Sequence, residues 1–596
     1  MPTGRRRYAM LVLALAVIGC AAHWPALRSG LVADDYLQRS MLEGSYPVQR
    51  SPLDLFSFVD ASRGDLGPTM DAGTFPWWVH PQLKLTALRP LSSLLVVLDV
   101  TLGLSPFAAH VHSLLWWLAL LVVLAAFLRQ RVPAAVALLA TAIYAFDPSS
   151  VTPVGWLSNR NAIVSALFGL VALWAHISWR ERDWHPGPFV AGAAFALSLL
   201  GGEYAFGMFG YLIAYELVAG SGGARRRLRA LFPVAAPLAA YFALHVALGY
   251  GARGSSMYVD PLRQPLVFAA DALLRFPALV VGELLNIPGE LTHAALALHL
   301  TGLVLLLIPV LAAIATVAPG AIRRLEPGPR RMVLFLLLGA ALSLLPVLGA
   351  PPSARLLLVP ALGGSVFIGV LIRDAALRFL EAGALKRPFV WLGGLVGLGL
   401  FTAHVLLAPL TTYVQSSGWS STQRLARSLY RRAKLDDRKL PGQTVVLLNS
   451  FELLTLIYPP YVRHQHGSPL PHAWRALSTT WEPLALRRTA LDSIELDAKH
   501  GSLLQAVTVT LLRSEDLPVR VGERFHVRGM DVEVLAMDGW GPKSVRYHFD
   551  DDLDAPRFVF LEMGANGLRR LRLPRPGHSL EVPGIPKAIL DAFKSP

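Results

Sequence analysis

YAMLVLALAVIGCAAHWPALRSGLVADDYLQR, residues 8 to 39, places an apolar run between a triple arginine, Arg5 to Arg7, and a doubled carboxylate, Asp34 and Asp35. About twenty apolar residues in a helix cross the hydrocarbon core of a bilayer, so 8–28 reads as a transmembrane span. Basic residues stay on the cytoplasmic side, which puts the amino terminus inside and the acidic pair outside. Comparable runs recur through the first two thirds of the chain. The composition agrees: 54% of residues are hydrophobic and 16% charged, where soluble domains carry about 25% charge. A polytopic α-helical membrane protein is expected, followed by a soluble tail.

The net charge of +15 would suggest nucleic acid in a soluble protein. Here the arginines before residue 390 cluster between apolar runs, as RQR (129–131), WRER (179–182), ARRRLR (224–229), IRRLEPGPRR (322–331) and the stretch 373–387. They read as topology signals, with no nucleic-acid partner implied. Crossing out and back between them gives spans near 8–28, 106–128, 132–146, 155–178, 188–201, 203–219, 230–248, 297–318, 332–349, 356–372 and 388–409. About eleven transmembrane helices follow, with the C-terminal segment extracytoplasmic because the number is odd. A bacterial inner membrane suits this plan. The single cysteine, Cys20, excludes an intramolecular disulfide and a cysteine-based metal cluster. VIGC (17–20) also has the form of a lipoprotein processing site, ranked below a plain first span.

Residues 1–410 are therefore expected to form the membrane domain, with a structured outer loop at 29–105 and an interfacial segment at 249–296. Within them, 89–103 and 266–285 are read as interfacial helices, because one is short and the other carries Asp271, Arg275 and Glu283. After residue 411 the pattern changes. TVVLLNS (444–450), VTVTLL (507–512), RFHVRGMDVEVLAM (524–537), SVRYHF (544–549) and RFVFLEM (557–563) predict strands of a mostly β (α+β) extracytoplasmic domain over 411–596, with a helix in 450–462.

Two readings compete for Asp34 and Asp35. They can cap a helix starting near Tyr36, since an aspartate there accepts backbone N–H bonds at the positive dipole end. Alternatively, one carboxylate serves as a general base or metal ligand and the other supports it. Neighbouring positions on a helix do not normally aim into one site, so unequal roles are expected. Further on, FDPSSVTPVGWLSNRNAIVSALFGLVALW (146–174) carries Asn159, Arg160 and Asn161 into the outer end of a span, and LRPLSSLLVVLDVTLGLSPFAAHVHSLLWW (88–117) brings Arg89, His110 and His112 to another.

An acidic pair after the first span, RPL with LD, LG and P…H behind it, DPSSVTPVGWLSNRNAIVSALF, SLLGGEYAFG (198–207) and PSARLLLVPALG (352–363) follow one another in order. In this order they resemble the GT-C class of integral membrane glycosyltransferases, and within it the protein O-mannosyltransferase-like members with tetratricopeptide repeats. The resemblance covers roughly residues 8–410 and not the β-rich tail. The chain has Asp147-Pro148, Gly202-Glu203 and Ala354-Arg355 where those relatives have His-Pro, Lys-Glu and Glu-Arg.

The resemblance implies an inverting sugar transfer from a polyprenyl-phosphate donor, whose lipid lies in the membrane, to a protein, glycan or lipid acceptor at the outer face. Asp34 is then the expected base, with Asp35 supporting it or helping to hold a divalent metal, whose involvement stays open. Arg89, Arg160 and Arg355 are the expected phosphate clamp, since guanidinium groups offer paired donors to phosphate oxygens. Glu203 and Asn159 are expected to support them. Structural alternatives stand beside each residue: snorkelling for Arg89, a buried partner for Arg160, an interfacial anchor for Arg355 and an ion pair for Glu203. His80, His110 and His112 are read as hydrogen-bonded residues and not as metal ligands. FPWWVH (75–80) is read as an interfacial aromatic belt ahead of a sugar or acceptor platform, and YHFDDDLDAPRF (547–558) as a solvated turn ahead of a calcium-binding loop, since it lacks EF-hand spacing and the terminal Glu. A transporter or flippase, or a non-catalytic scaffold for envelope polysaccharide assembly, is the alternative function.

Overall fold

The computed structural model describes residues 2–594 except 262, 298–301, 303, 304, 382–387, 432, 452, 506, 507, 540 and 565. Two compact units are formed, and neither is a continuous stretch of chain. The first contains Met1–Ser29, Leu88–Gly249 and Asp260–Ser420; the second contains Gly30–Ala87, Tyr250–Val259 and Ser421–Pro596. A division at residues 410 and 411 therefore separates the first loop from the tail with which it folds.

The first unit is helical. Among the described residues, six helices are long and apolar enough to cross a membrane: Gly4–Arg28, Pro106–Arg129, Leu157–Arg182, Ala224–Ala247, Pro265–Leu285 and Pro327–Gly349. Two bent pairs, Ala134–Ala145 with Pro148–Gly155 (46°) and Val390–Leu406 with Ala408–Arg431 (42°), raise the number to eight. The chain is a multi-pass membrane protein, but about eleven spans is more than these lengths provide.

Several expected spans are short. Gly187–Gly201 and Tyr204–Val218 have 15 residues each, about 22 Å at 1.5 Å per residue, against a hydrocarbon core of about 30 Å. The expected span at 297–318 lies partly outside the described residues, and the helix there is Ile308–Arg323. Conversely, the segment read as interfacial at 266–285 is a 21-residue helix of spanning length.

Burial separates inner from outer helices: 72% of the apolar window of Leu157–Arg182 is buried, against 17% for Ala224–Ala247. Polar interlocks hold the interior. The Tyr211 hydroxyl donates to the carbonyl of Val359 at 3.0 Å and accepts from the amide of Gly363 at 2.9 Å. Both backbone groups sit at the start of the helix Ala361–Leu380, where Tyr211 adds to the short local bonds Gly363 N to Pro360 O and Leu362 N to Val359 O.

The second unit is mostly β. A six-stranded antiparallel sheet has the order Ser579–Val582, Leu484–Arg488, Ser493–Ala498, Gly541–Phe549, Met530–Asp538 and Arg524–Val527. A four-stranded sheet runs Gly567–Arg570, Phe558–Gly564, Thr444–Leu447 and Ala473–Ala476, the last three parallel. A third sheet joins the first loop to the segment Tyr250–Val259: Leu85 pairs with Val59 on one side and Ala252 on the other.

Two sequence expectations fail here. VTVTLL was expected as a strand, yet Thr508–Leu512 is a helical turn, its β-branched composition overridden by tertiary context. FPWWVH is not a belt. Trp77 and Trp78 are buried in the core of this unit, Trp77 with its ring 5.1 Å from Phe525 and its Nε1 donating to Leu477 O at 3.0 Å. The loop is held elsewhere too: Arg475 donates to Met70 O at 2.8 Å, and Gly73, with φ +80°, lies so close to the Trp474 carbonyl that a Cβ would fall 1.7 Å from its oxygen.

Candidate active site

The acidic pair belongs to the second unit. The chain enters through Gly30 (φ 72°) and Ala33, whose φ of 44° and ψ of −114° are unusual for a residue with a side chain, and then begins the helix Asp34–Leu42. Strain of this kind persists where surrounding contacts over-determine the backbone, and it concentrates at functional sites.

The two carboxylates have different work. Asp35 is buried, and its Oδ2 accepts from Val32 N at 2.9 Å, closing the turn at the helix start. Asp34 is half-buried, and its Oδ1 accepts from the hydroxyl of Tyr458, 2.7 Å away and 424 residues later in the chain. Backbone capping thus falls to Asp35, while Asp34 is held from across the unit. Burial of Tyr458, reinforced by the charge of Asp34, raises its phenol well above the ordinary value and keeps it protonated as the donor.

Other tyrosines and an arginine complete the surroundings. The Tyr46 hydroxyl donates to Phe58 O at 2.6 Å, and its ring lies 6.2 Å from that of Tyr461. Arg427 donates from Nη1 to Leu31 O at 3.1 Å and hydrogen-bonds the Tyr36 phenol. A Cβ at Gly30 would fall 2.8 Å from Arg427 Nη1, so a glycine is required under the guanidinium. Sequence reasoning missed Tyr458 and Arg427. The first sits in an apolar stretch and the second in a basic amphipathic one, and neither carries a local signal.

The expected clamp residues lie in the first unit, in different settings. Arg89 precedes the helix Pro90–Thr101 and donates from Nε to Glu203 Oε2 at 2.8 Å. Beside this pair, Tyr204 hydrogen-bonds the Asn159 side chain, and its hydroxyl donates to Arg355 O at 3.4 Å. The Arg355 guanidinium lies over the Trp156 ring, 5.3 Å from the centroid, and makes no ion pair among the described residues. These six residues therefore form one polar cluster at the turns between helices.

Arg160 is outside that cluster in function. It is buried, its Nη2 pairs with Asp99 Oδ2 at 2.7 Å and donates to Ala109 O at 2.8 Å, and its Nε donates to Ser113 Oγ at 2.8 Å. His112 joins through Nδ1, 2.7 Å from Asp99 Oδ1 and 3.2 Å from Arg160 Nη1. Such a network locks helices together and leaves few donors for a phosphate. Of the three arginines, Arg355 is the one without an ion pair among the described residues.

The remaining candidates have structural partners. His110 Nδ1 bonds Val154 O at 3.0 Å, and His80 Nδ1 accepts from Gln82 N at 3.0 Å. In the acidic turn of the tail, Asp552 and Asp554 pair with the buried Arg488, and Asp550 and Asp551 with Arg557. Among the described residues no three His, Cys, Asp or Glu side chains converge as a metal site.

No family model and no curated protein matches the chain. Similar solved structures exist. The apo oligosaccharyltransferase of Archaeoglobus fulgidus is similar over 78% of this chain and 64% of that one, at 14% identity and TM-score 0.44. The same enzyme tethered through a disulfide to an acceptor peptide containing the NVT sequon gives TM-score 0.39 at 14% identity, over 78% of this chain and 63% of that one. ArnT from Cupriavidus metallidurans bound to undecaprenyl phosphate gives TM-score 0.37 at 13% identity, over 76% of this chain and 84% of that one. The chain thus spans less than two thirds of the oligosaccharyltransferase.

Proposed function

We propose that the protein is a GT-C glycosyltransferase that moves a sugar from a polyprenyl-phosphate carrier to an acceptor hydroxyl or amine at the outer face of the membrane. The observation that carries this reading is the division of labour in the acidic pair: Asp35 closes the turn, and Asp34 is presented half-buried and fixed by Tyr458. The ordered motifs from the first span to PSARLLLVPALG support the donor class.

Asp34 takes the acceptor's proton as the acceptor attacks the anomeric carbon. The bond from that carbon to the phosphate oxygen breaks, and the electron pair leaves with the polyprenyl phosphate, inverting the anomeric centre. Within the first unit, Arg355, stacked on Trp156 and without an ion pair among the described residues, is the cation suited to a phosphate, and Arg89 with Glu203, Tyr204 and Asn159 shapes the surrounding cluster. Arg160 stiffens the helices.

In this reading the acidic pair lies at the outer face, because charge bias keeps Arg5 to Arg7 in the cytoplasm and one span precedes Gly30.

The test is donor choice by the purified full chain in liposomes. Radiolabelled sugar should move from a polyprenyl-phosphate sugar and not from the matching nucleotide sugar. Transfer from the nucleotide sugar refutes the donor class, and translocation of the lipid-linked sugar without transfer supports a flippase instead.

A further inference from the structure

A second cationic site lies at the end of the first unit where the basic clusters 179–182 and 224–229 meet, the end that charge bias assigns to the cytoplasm. Between the end of helix Asn161–Arg182 and the start of helix Ala224–Ala247 is a cavity of about 800 Å³, walled by Trp179, Arg180, Asp183, Arg225, Arg226 and Arg229 among others. The arginines are not equivalent. Arg180 is committed to Glu216, with Nε 2.7 Å from Oε1 and Nη2 3.1 Å from Oε2. Arg225, Arg226 and Arg229 are exposed and make no ion pair among the described residues. Asp183 is the one carboxylate in the wall, so positive charge is in surplus.

Arginines at helix ends often do no more than snorkel to water. Here a second observation points to a ligand. A shallow, mostly apolar depression of about 500 Å³ adjoins it along the same helix, lined by Leu228, Arg229, Phe232 and Ala235, with Arg229 common to both. Leu228 and Phe232 are 69% and 72% exposed, on a helix that buries little of its surface. A cationic pocket that opens into an apolar groove fits a molecule with a phosphate at one end and a hydrocarbon chain at the other. A free phosphate would leave the groove without a purpose.

We propose that the cavity and the adjoining depression bind an anionic phospholipid, its phosphate held by Arg225, Arg226 and Arg229 and one acyl chain lying along Leu228 and Phe232. Guanidinium groups suit the phosphate because they give paired donors, and basic pockets between helices at the cytoplasmic surface attract anionic headgroups. The site is independent of the sugar-transfer reading, since it shares no residue with Asp34, Arg89 or Arg355.

The experiment is lipid retention by the full chain, measured by native mass spectrometry with dioleoyl phosphatidylglycerol and dioleoyl phosphatidylcholine, which share acyl chains and differ in charge. Phosphatidylglycerol should bind about tenfold or more tightly. The combined Arg225→Gln, Arg226→Gln and Arg229→Gln variant should lose that preference. Because removing arginines can disturb insertion, the combined substitution of the same three by lysine, which keeps the charge, is measured as well. It should lower the preference several-fold, because the paired donors are gone. Phe232→Ala should weaken both lipids and leave their ratio unchanged, and millimolar glycerol 3-phosphate should not displace phosphatidylglycerol. The proposal is overturned by an unchanged preference in the lysine or glutamine variant, by unaltered binding in Phe232→Ala, or by displacement with glycerol 3-phosphate.

Discussion

Replacing Tyr458 with phenylalanine removes one oxygen atom and leaves the ring in its buried place. The lost group is the donor to Asp34 Oδ1 at 2.7 Å. A hydrogen bond to a charged group contributes about 1.5–3 kcal/mol, and because Asp34 is half-exposed the lower end applies. About 1.5 kcal/mol corresponds to a factor of roughly ten in the population of correctly oriented carboxylate, and so in turnover.

The bond is made to the enzyme's own base, so kcat should fall about tenfold while the KM for donor and acceptor stays put. Tyr46→Phe is the matched control: it removes a buried 2.6 Å bond to Phe58 O at a similar cost in stability, and it should leave kcat unaltered. The assay is initial-rate sugar transfer over a range of polyprenyl-phosphate donor and acceptor concentrations, backed by thermal unfolding of both variants. A Tyr458→Phe enzyme with wild-type kcat, or one indistinguishable from Tyr46→Phe, would refute the idea that Tyr458 orients Asp34.

Three further outcomes follow from the geometry. Arg355→Lys keeps the charge over Trp156 but loses the paired donors, so transfer should drop roughly 10- to 100-fold with the protein still folded, as read by transfer kinetics and circular dichroism. Gly73→Ala forces a Cβ to within 1.7 Å of a backbone oxygen at positive φ. It should cost the second unit more than about 3 kcal/mol, seen as rapid proteolysis of 30–87. For Asp60, burial pushes the carboxyl up, but hydrogen bonds from Ser62 and Lys84 outweigh it and hold it below the ordinary value. A depressed folded value means stability that is present above the unfolded value of about 4 and is lost as pH falls through the folded one. Acid titration of unfolding should therefore be less steep in Asp60→Asn.

The membrane character was legible because it rests on composition and run length, which are local properties. The number of spans was not. Gly187–Gly201 and Tyr204–Val218 have the hydropathy of spans without the length, and the span expected at 132–146 is the 12-residue helix Ala134–Ala145, which reaches spanning length only together with Pro148–Gly155 across a 46° bend. The tail was read correctly as β-rich where strands are apolar and β-branched, as at Thr444–Leu447 and Phe558–Gly564. It was missed at Leu484–Arg488, where the buried positions are Leu484, Leu486 and the charged Arg488.

The largest gap was the union of 30–87 with the tail, which depends on contacts such as Trp77 with Leu477, 400 residues apart. The same distance in sequence hid Tyr458 from any reading of the acidic pair. Asp34, Arg89, Arg355, Glu203 and Asn159 could be singled out because charged and amide side chains at the mouths of apolar helices are rare. Their partners could not, because pairing is decided by the fold. Arg160 shows the same limit: a buried charge demanded a partner, and the structure supplies Asp99 within the protein.

The most direct measurement is sugar transfer from a radiolabelled polyprenyl-phosphate donor by the wild-type full chain and by Asp34→Asn, which keeps shape and hydrogen-bonding capacity but cannot accept the acceptor's proton. Loss of general-base catalysis lowers turnover by about 10²- to 10⁴-fold, and that is the predicted result, with donor binding retained. Equal transfer by the two proteins would contradict the role assigned to Asp34.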